Sequence, residues 1–293
     1  MSHTFTQQDA VQLAHALTAF VARSNGLRVL SIKGFTLAHH GLRNERIYAD
    51  ADVWVALEDL DAFTMAMGEY GWEERFEFDV ARILADHSRT LIHPSWPCDI
   101  DVHWYFPGAF APPDACFDAL WAARTIVTIA GQETWIPDYG GSALVGVLHC
   151  LRYPTSPRHQ RELEGISRSL ENDASTDNLE SFSRLLEATG SLDVAGDYAR
   201  GIGIVVPEHV TDVEQLRLWK RYIGSHERGS TAAWLYAIRD ARWADRPRLL
   251  TGALFPSRAD LAGLLGRDVS RSDAVTYYLA RFRRAFNAIT HRR

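Results

Sequence analysis

Lysine is almost missing from this sequence. Of its 31 basic residues only Lys33 and Lys220 are lysine, and the rest are arginine. Each lysine is therefore informative, because an ammonium is a compact, strongly hydrated point charge where a guanidinium is a planar fork. Cysteine is scarce too. Cys98, Cys116 and Cys150 are odd in number and irregularly spaced, which argues against a disulfide framework and fits a reducing compartment. No stretch approaches the roughly 18 uninterrupted apolar residues of a membrane span. The polar opening Met1–Asp9 lacks the basic and apolar segments of a secretory signal, so a cytoplasmic location is expected. An excess of positive charge is also lacking. The formal charge is −6, which disfavours indiscriminate binding to nucleic acid.

What is present is a globular composition, 46 % hydrophobic and 23 % charged over 293 residues, which excludes wholesale disorder. The length suits one large domain or two small ones. Helical spacing of Val11, Ala14, Leu17 and Val21 predicts a helix over 7–23, stopped by Asn25-Gly26. A short strand is expected at Leu27–Ile32, a helix at Gly34–Leu42, a strand at Asp50–Leu57 and a helix at Glu58–Glu69. Further strands are expected at Trp72–Phe78, Thr90–His93 and Cys98–Trp104, the last two joined by a turn at Pro94–Pro97. A helix to about Ala123 and a hairpin turning at Gly131 follow. After Pro137 strand-like alternation gives way to helical segments at 142–151, 160–170, 179–189, 192–201, 213–223, 231–242 and 272–289. The expected class is α+β: a mixed-sheet head over residues 1–137 and an all-α domain over residues 138–293.

The chemistry concentrates in Lys33-Gly34, in Arg46-Ile-Tyr-Ala-Asp50-Ala-Asp52, and in Asp99-Ile-Asp101-Val-His103-Trp104. Alternate side chains of a strand share a face, so Asp50 aligns with Asp52, and Asp99 with Asp101 and His103. If the two strands are neighbours, the carboxylates converge and need a compensating cation. Oxygen ligands of this kind suit a hard divalent ion, magnesium above all. Apolar Ile100 and Val102 flank Asp101, which favours it over Asp99 as the third ligand. Two further features stand beside this group. Arg152, Arg158, His159 and Arg161 form a basic patch, and Ser142 after Gly140-Gly141 reads as a helix start rather than a nucleophile elbow.

These motifs, in this order, resemble the DNA polymerase β-type nucleotidyltransferase superfamily. More closely they resemble an uncharacterised nucleotidyltransferase family related to abortive-infection nucleotidyltransferase toxins. The resemblance is sharp over residues 28–105 and implies a nucleotidyltransferase-like head. It implies that Asp50, Asp52 and Asp101 are catalytic and hold two Mg²⁺ ions, with Mn²⁺ a possible substitute. Lys33, Gly34, Thr36, Arg46 and His103 would serve the nucleotide: the turn at Gly34 approaching phosphate oxygens, Lys33 or Arg46 adding positive charge. Thr36 would stand in for the hydroxyl that is lost where Phe35 follows Gly34. For His103 three roles stay open, namely support of the metal, a proton shuttle, or a structural histidine. The implied reaction moves a nucleoside monophosphate from a nucleoside triphosphate to an acceptor hydroxyl, releasing pyrophosphate. The acceptor is open between a small molecule, a peptide or protein, and an RNA end. Alternatives are a phosphotransferase using the same metal site and a non-catalytic nucleotide- or partner-binding protein.

Overall fold

The computed structural model describes residues 6–44, 46–75, 87–172, 174–228 and 269–290, with residues 243, 246, 250 and 261. The expected helix at 231–242 and residues 76–78 of the expected strand at 72–78 lie outside the described residues. Two compact units are defined by their contacts: Met1–Arg75 with His87–Trp219, and Phe76–Asp86 with Lys220–Arg293.

The first unit opens with α1 (Gln7–Ser24). Its start is fixed by a reciprocal box, in which the Thr6 hydroxyl accepts from the Asp9 amide and the Asp9 carboxylate accepts from the Thr6 amide. Then follow β1 (Val29–Ser31), α2 (Gly34–His39), β2 (Asp50–Val55), α3 (Leu60–Gly68), β3 (Glu73–Glu74), β4 (Ser88–Ile92) and β5 (Asp99–His103). The ladder of β1 is shorter than the expected strand at Leu27–Ile32, although the Ile32 N–H still donates to the Asp52 carbonyl at 3.0 Å. These strands form one mixed sheet in the order β1-β2-β5-β4-β3, antiparallel throughout except that β2 and β5 run parallel. The hairpin β6 (Arg124–Ile129) and β7 (Gln132–Pro137), reached through α4 (Pro113–Ala122), forms a separate two-stranded sheet.

Every described element after Pro137 is a helix: α5 (Tyr139–Leu151), α6 (Pro157–Asn172), α7 (Thr176–Ala188), α8 (Leu192–Gly201), α9 (Val213–Arg228) and α10 (Arg271–Thr290). None of the helices described is long and apolar enough to cross a membrane. Helix α5 begins three residues before the expected Ser142, because Asp138 caps it by accepting from the Gly141 amide at 2.7 Å. Helix α6 likewise begins at Pro157 rather than Gln160, as proline is tolerated in a first turn. In the second unit Leu261, Val269 and Ala274 form a small buried cluster flanked by Tyr277 and Tyr278 of α10.

The alternation of β2 and β5 sorts the sheet into two unlike faces. Ala51, Val53, Val55, Ile100 and Val102 pack with Val11, Ala14 and Val21 of α1 and with Phe63 and Met67 of α3. Each large apolar side chain buried this way contributes roughly 1.5–3 kcal/mol. On the other face Leu30 and Trp54 join Phe106 and the helices α5 to α8 in a second core. A Cβ on Gly146 would come within 2.8 Å of Leu37 and 2.9 Å of Ile166, so this glycine is what lets α5 lie against both α2 and α6. The rest of that second face is polar.

Candidate active site

The polar remainder of the sheet carries Asp50 and Asp52 from β2, Asp101 and His103 from β5, and Thr90 from β4. Parallel pairing sets Asp50 opposite Asp99 and Asp52 opposite Asp101. The antiparallel neighbour places Thr90 opposite Asp101, where its hydroxyl donates to Asp101 Oδ1 at 2.8 Å. One ligand atom each from Asp52, Asp101 and His103 lie within 4.8 Å of one another, an arrangement able to hold a metal ion. Asp50 shares the face but does not join this group of three.

Lys33 supplies the cation. Its Nζ lies 2.5 Å from Asp52 Oδ1 and 3.0 Å from His103 Nε2, and His103 Nε2 lies 3.0 Å from the same carboxylate oxygen. Lys33 gets there from an uncommon backbone conformation, φ 55°, at the residue before α2. The Thr36 hydroxyl donates to the Lys33 carbonyl at 2.7 Å and so braces the turn. The left-handed residue of this turn is Lys33, and Gly34 is the first residue of α2. A Cβ on Gly34 would lie 3.4 Å from the Tyr48 ring, so Gly34 admits Tyr48. Phe35, the residue that departs from the superfamily pattern, packs on Val127, Ile129 and Ile136 of the hairpin.

The electrostatics follow from burial and crowding. Burial opposes ionisation of Asp52, but the Lys33 ammonium and the hydrogen bonds from His103 and Lys33 outweigh it and hold the carboxyl well below the usual range. Burial, and then the Asp52 charge, push Asp101 up to about 6. The same two causes raise Asp50. Burial and the neighbouring Lys33 lower His103 to about 4, so the imidazole is neutral at pH 7, and its Nδ1 is buried with no hydrogen-bond partner. Two carboxylates paired in register thus respond in opposite directions because Lys33 reaches one of them.

The remaining expected residues fall elsewhere. Arg46 does not touch the carboxylates on the sheet; its Nη1 lies 3.2 Å from Glu162 of α6, whose other oxygen bonds Arg43. The basic patch divides. Arg152 is buried, its Nη2 3.3 Å from His87 Nε2, and its charge contributes to the lowering of His103. Arg158 and Arg161 are exposed on α6. Trp54 is buried against Phe106, their rings 5.7 Å apart, and belongs to the core. Sequence reasoning missed Thr90, Arg43 and Glu162. The hairpin register would have found Thr90, whereas nothing local joins Arg43 to a residue 119 positions away.

A mixed sheet with helices on both faces and an acid-bearing strand pair is a nucleotidyltransferase-like α+β fold. The chain belongs to the family described as uncharacterised nucleotidyltransferase, whose model matches residues 3–196. No curated protein matches it. Among solved structures it is similar to the antibiotic-resistance factor ANT(2'')-Ia in solution, at 15 % identity over 67 % of this chain and 99 % of that one, TM-score 0.43. It is similar to an antigenic nucleotidyltransferase-like protein from Paracoccidioides brasiliensis at 13 % identity over 69 % and 96 %, TM-score 0.42. It is also similar to ANT(2'')-Ia in complex with adenylyl-2''-tobramycin at 16 % identity over 72 % and 98 %, TM-score 0.36.

Proposed function

We propose that the protein transfers a nucleoside monophosphate from a nucleoside triphosphate to an acceptor hydroxyl, releasing pyrophosphate, at the polar face of β2 and β5. The observation that carries this reading is the convergence of Asp52, Asp101 and His103 beside Lys33. A buried carboxylate kept ionised beside a second one is a site prepared for cationic charge. The two carboxylate donors suit Mg²⁺ or Mn²⁺, and the neutral imidazole, a softer ligand, suits Mn²⁺ better than Mg²⁺. Asp52, Asp101 and His103 would hold the ion, with Asp50 on the same face for the second of the two ions expected. A bound divalent ion would supply the charge that activates the acceptor hydroxyl and neutralises the triphosphate. Lys33 adds a cation that can turn from Asp52 to phosphate oxygens, where it opposes the negative charge developing in the transition state. Thr90 fixes the orientation of Asp101 by its hydrogen bond. A kinship with abortive-infection nucleotidyltransferase toxins belongs to the same reading and rests on the Lys33-Gly34, Arg46, Asp50-x-Asp52 and Asp101-x-His103-Trp104 pattern. So does a cytoplasmic location, which three free, buried cysteines suit.

Incubation with ATP labelled at the α or the γ phosphorus, Mg²⁺ and a panel of hydroxyl acceptors tests the reading. Label carried to acceptor from the α position, with pyrophosphate released, is the expected result. Transfer from the γ position alone would replace it with a phosphotransferase.

A second reading, nucleotide or partner binding without turnover, is favoured by Phe35, which commits the residue after Gly34 to the hairpin core. Calorimetry with Mg·ATP on the native protein and on Asp52→Ala separates the two. Binding that ignores the substitution supports the second.

A further inference from the structure

A cavity of about 560 Å³ lies between the loop after α2 and the exposed side of α6. Arg43 and Arg46 line it from the loop, and Arg158, Arg161 and Arg168 from α6, where spacings of three and seven put them on one helix face. Glu162 is the one carboxylate among the described lining residues, so positive charges exceed negative by four. That local excess stands in a chain whose formal charge is −6. The carboxylate of Glu162 is already used, since one oxygen bonds Arg43 and the other lies 3.2 Å from Arg46 Nη1. The Nε atoms of Arg43 and Arg46 are buried with no hydrogen-bond partner. Burial, then the charge of Arg43, push the pKa of Arg46 down, with Glu162 opposing the shift and Arg158 adding to it. Crowded guanidinium groups are costly unless an anion fills the space between them, and their forked donors match the oxygens of phosphate.

We propose that this cavity is an oxyanion site that receives a phosphate chain or phosphate ester of a substrate. Phosphate chemistry, rather than carboxylate, is indicated by several forks converging on one volume and by the size of the charge excess. The group has two possible sources, the triphosphate of the nucleotide or a phosphate carried by the acceptor. Arg43 Nη2 donates to the Gly34 carbonyl at 3.2 Å, so the cavity adjoins the turn whose lysine bonds Asp52. Only the choice between sources rests on the nucleotidyl-transfer reading; the oxyanion site does not need the metal cluster.

The test is calorimetric titration of the full-length protein with inorganic tripolyphosphate in the presence of EDTA. The native protein should bind, more weakly as salt rises. The double variant Arg161→Ser/Arg168→Ser, which removes exposed side chains and should leave the melting temperature in place, should weaken binding by about tenfold or more. No binding by the native protein, or unchanged affinity in the double variant, overturns the proposal. Asp52→Asn should bind the probe as the native protein does while losing nucleotidyl transfer, so the two readings fail separately. With the site established, Mg·ATP displacing tripolyphosphate assigns it to the nucleotide, and simultaneous binding of both assigns it to a phosphorylated acceptor.

Discussion

Two buried ion pairs flank the Lys33–Gly34 turn, and they are mirror images in charge. On the sheet, Lys33 is a single cation among Asp50, Asp52 and Asp101, and its partner Asp52 is buried. In the cavity, Glu162 is the single anion among the described lining residues, set among arginines, and its partner Arg43 is buried. A buried pair is at best roughly neutral for stability, because desolvating both ions offsets their attraction. Removing one partner is strongly destabilising, since it leaves the other charge uncompensated. Neither pair balances its surroundings, however. The sheet face keeps an excess of carboxylate and the cavity an excess of guanidinium, so the two regions call for opposite counter-ions, a metal cation in one and an oxyanion in the other.

The largest effect expected from breaking this symmetry is at Asp52. Asp52→Asn should lower nucleotidyl transfer by about a thousandfold or more, several kcal/mol of transition-state stabilisation. It should also destabilise the metal-free protein, because the Lys33 ammonium then lies buried beside a neutral amide; label-transfer kinetics and chemical denaturation in EDTA measure the two. Retained turnover would remove Asp52 from the site. The mirror experiment is Glu162→Gln, which leaves Arg43 buried without its carboxylate and should cost about 3–5 kcal/mol by denaturant titration. A loss well under 1 kcal/mol would mean that solvent already screens the cavity pair.

The third experiment has the opposite sign. Asp101 has its pKa raised from 3.8 to about 6 in the folded state. Protons are therefore bound more tightly by the folded protein, and this contribution is fully present below about pH 4 and lost as pH rises through about 6. Asp101→Asn should accordingly stabilise the metal-free protein at pH 7 by about 1–2 kcal/mol, the full shift discounted for partial solvent access. The gain should vanish at pH 4, where the native residue is already protonated, and turnover should be lost at any pH. Asp52 is the control, since its lowered pKa means that its contribution is present above about pH 4 and lost on acidification. Melting curves at both pH values would show whether the two in-register carboxylates truly diverge.

How much of this was legible beforehand depends on the range of the interaction. The alternation in Asp50-Ala-Asp52 and Asp99-Ile-Asp101-Val-His103 fixes which side chains share a face, and that much is local. Their convergence needed only one further fact, that β2 and β5 are neighbours in register. The α+β class and the helical character beyond Pro137 were likewise readable from periodicity. The arginine cavity was not readable. Its two sides are more than a hundred residues apart, and on its own Arg158-x-x-Arg161 is indistinguishable from a solvated helix face. Phe35 illustrates the same limit: its departure from the superfamily pattern is explained by contacts with Val127, Ile129 and Ile136, which no reading of residues 33–36 contains. Nor does Lys33-Gly34 announce where the strain sits, because glycine is the default holder of a left-handed conformation and here it follows the residue that holds it.

That strain supports the smallest and most specific prediction. At φ 55° a residue with a Cβ costs about 1–3 kcal/mol relative to an ordinary conformation, and the surrounding structure must impose it. Here the Lys33 carbonyl accepts from the Thr36 hydroxyl and from the Leu37 amide, which tie down the turn from which Lys33 Nζ meets Asp52. Comparing Lys33→Gly with Lys33→Ala isolates the backbone, because both variants lose the ammonium and both leave Asp52 unpaired. Glycine relieves the strain but also gains freedom in the unfolded chain, which offsets part of the relief. The glycine variant should be more stable than the alanine variant by about 1 kcal/mol, a difference of about 2–4 °C in melting temperature for a unit of this size. Transfer should fall equally in the two. An alanine variant as stable as the glycine variant would mean that Lys33 holds its position through the ion pair alone, and that the turn is not pre-set to deliver a cation to the carboxylates.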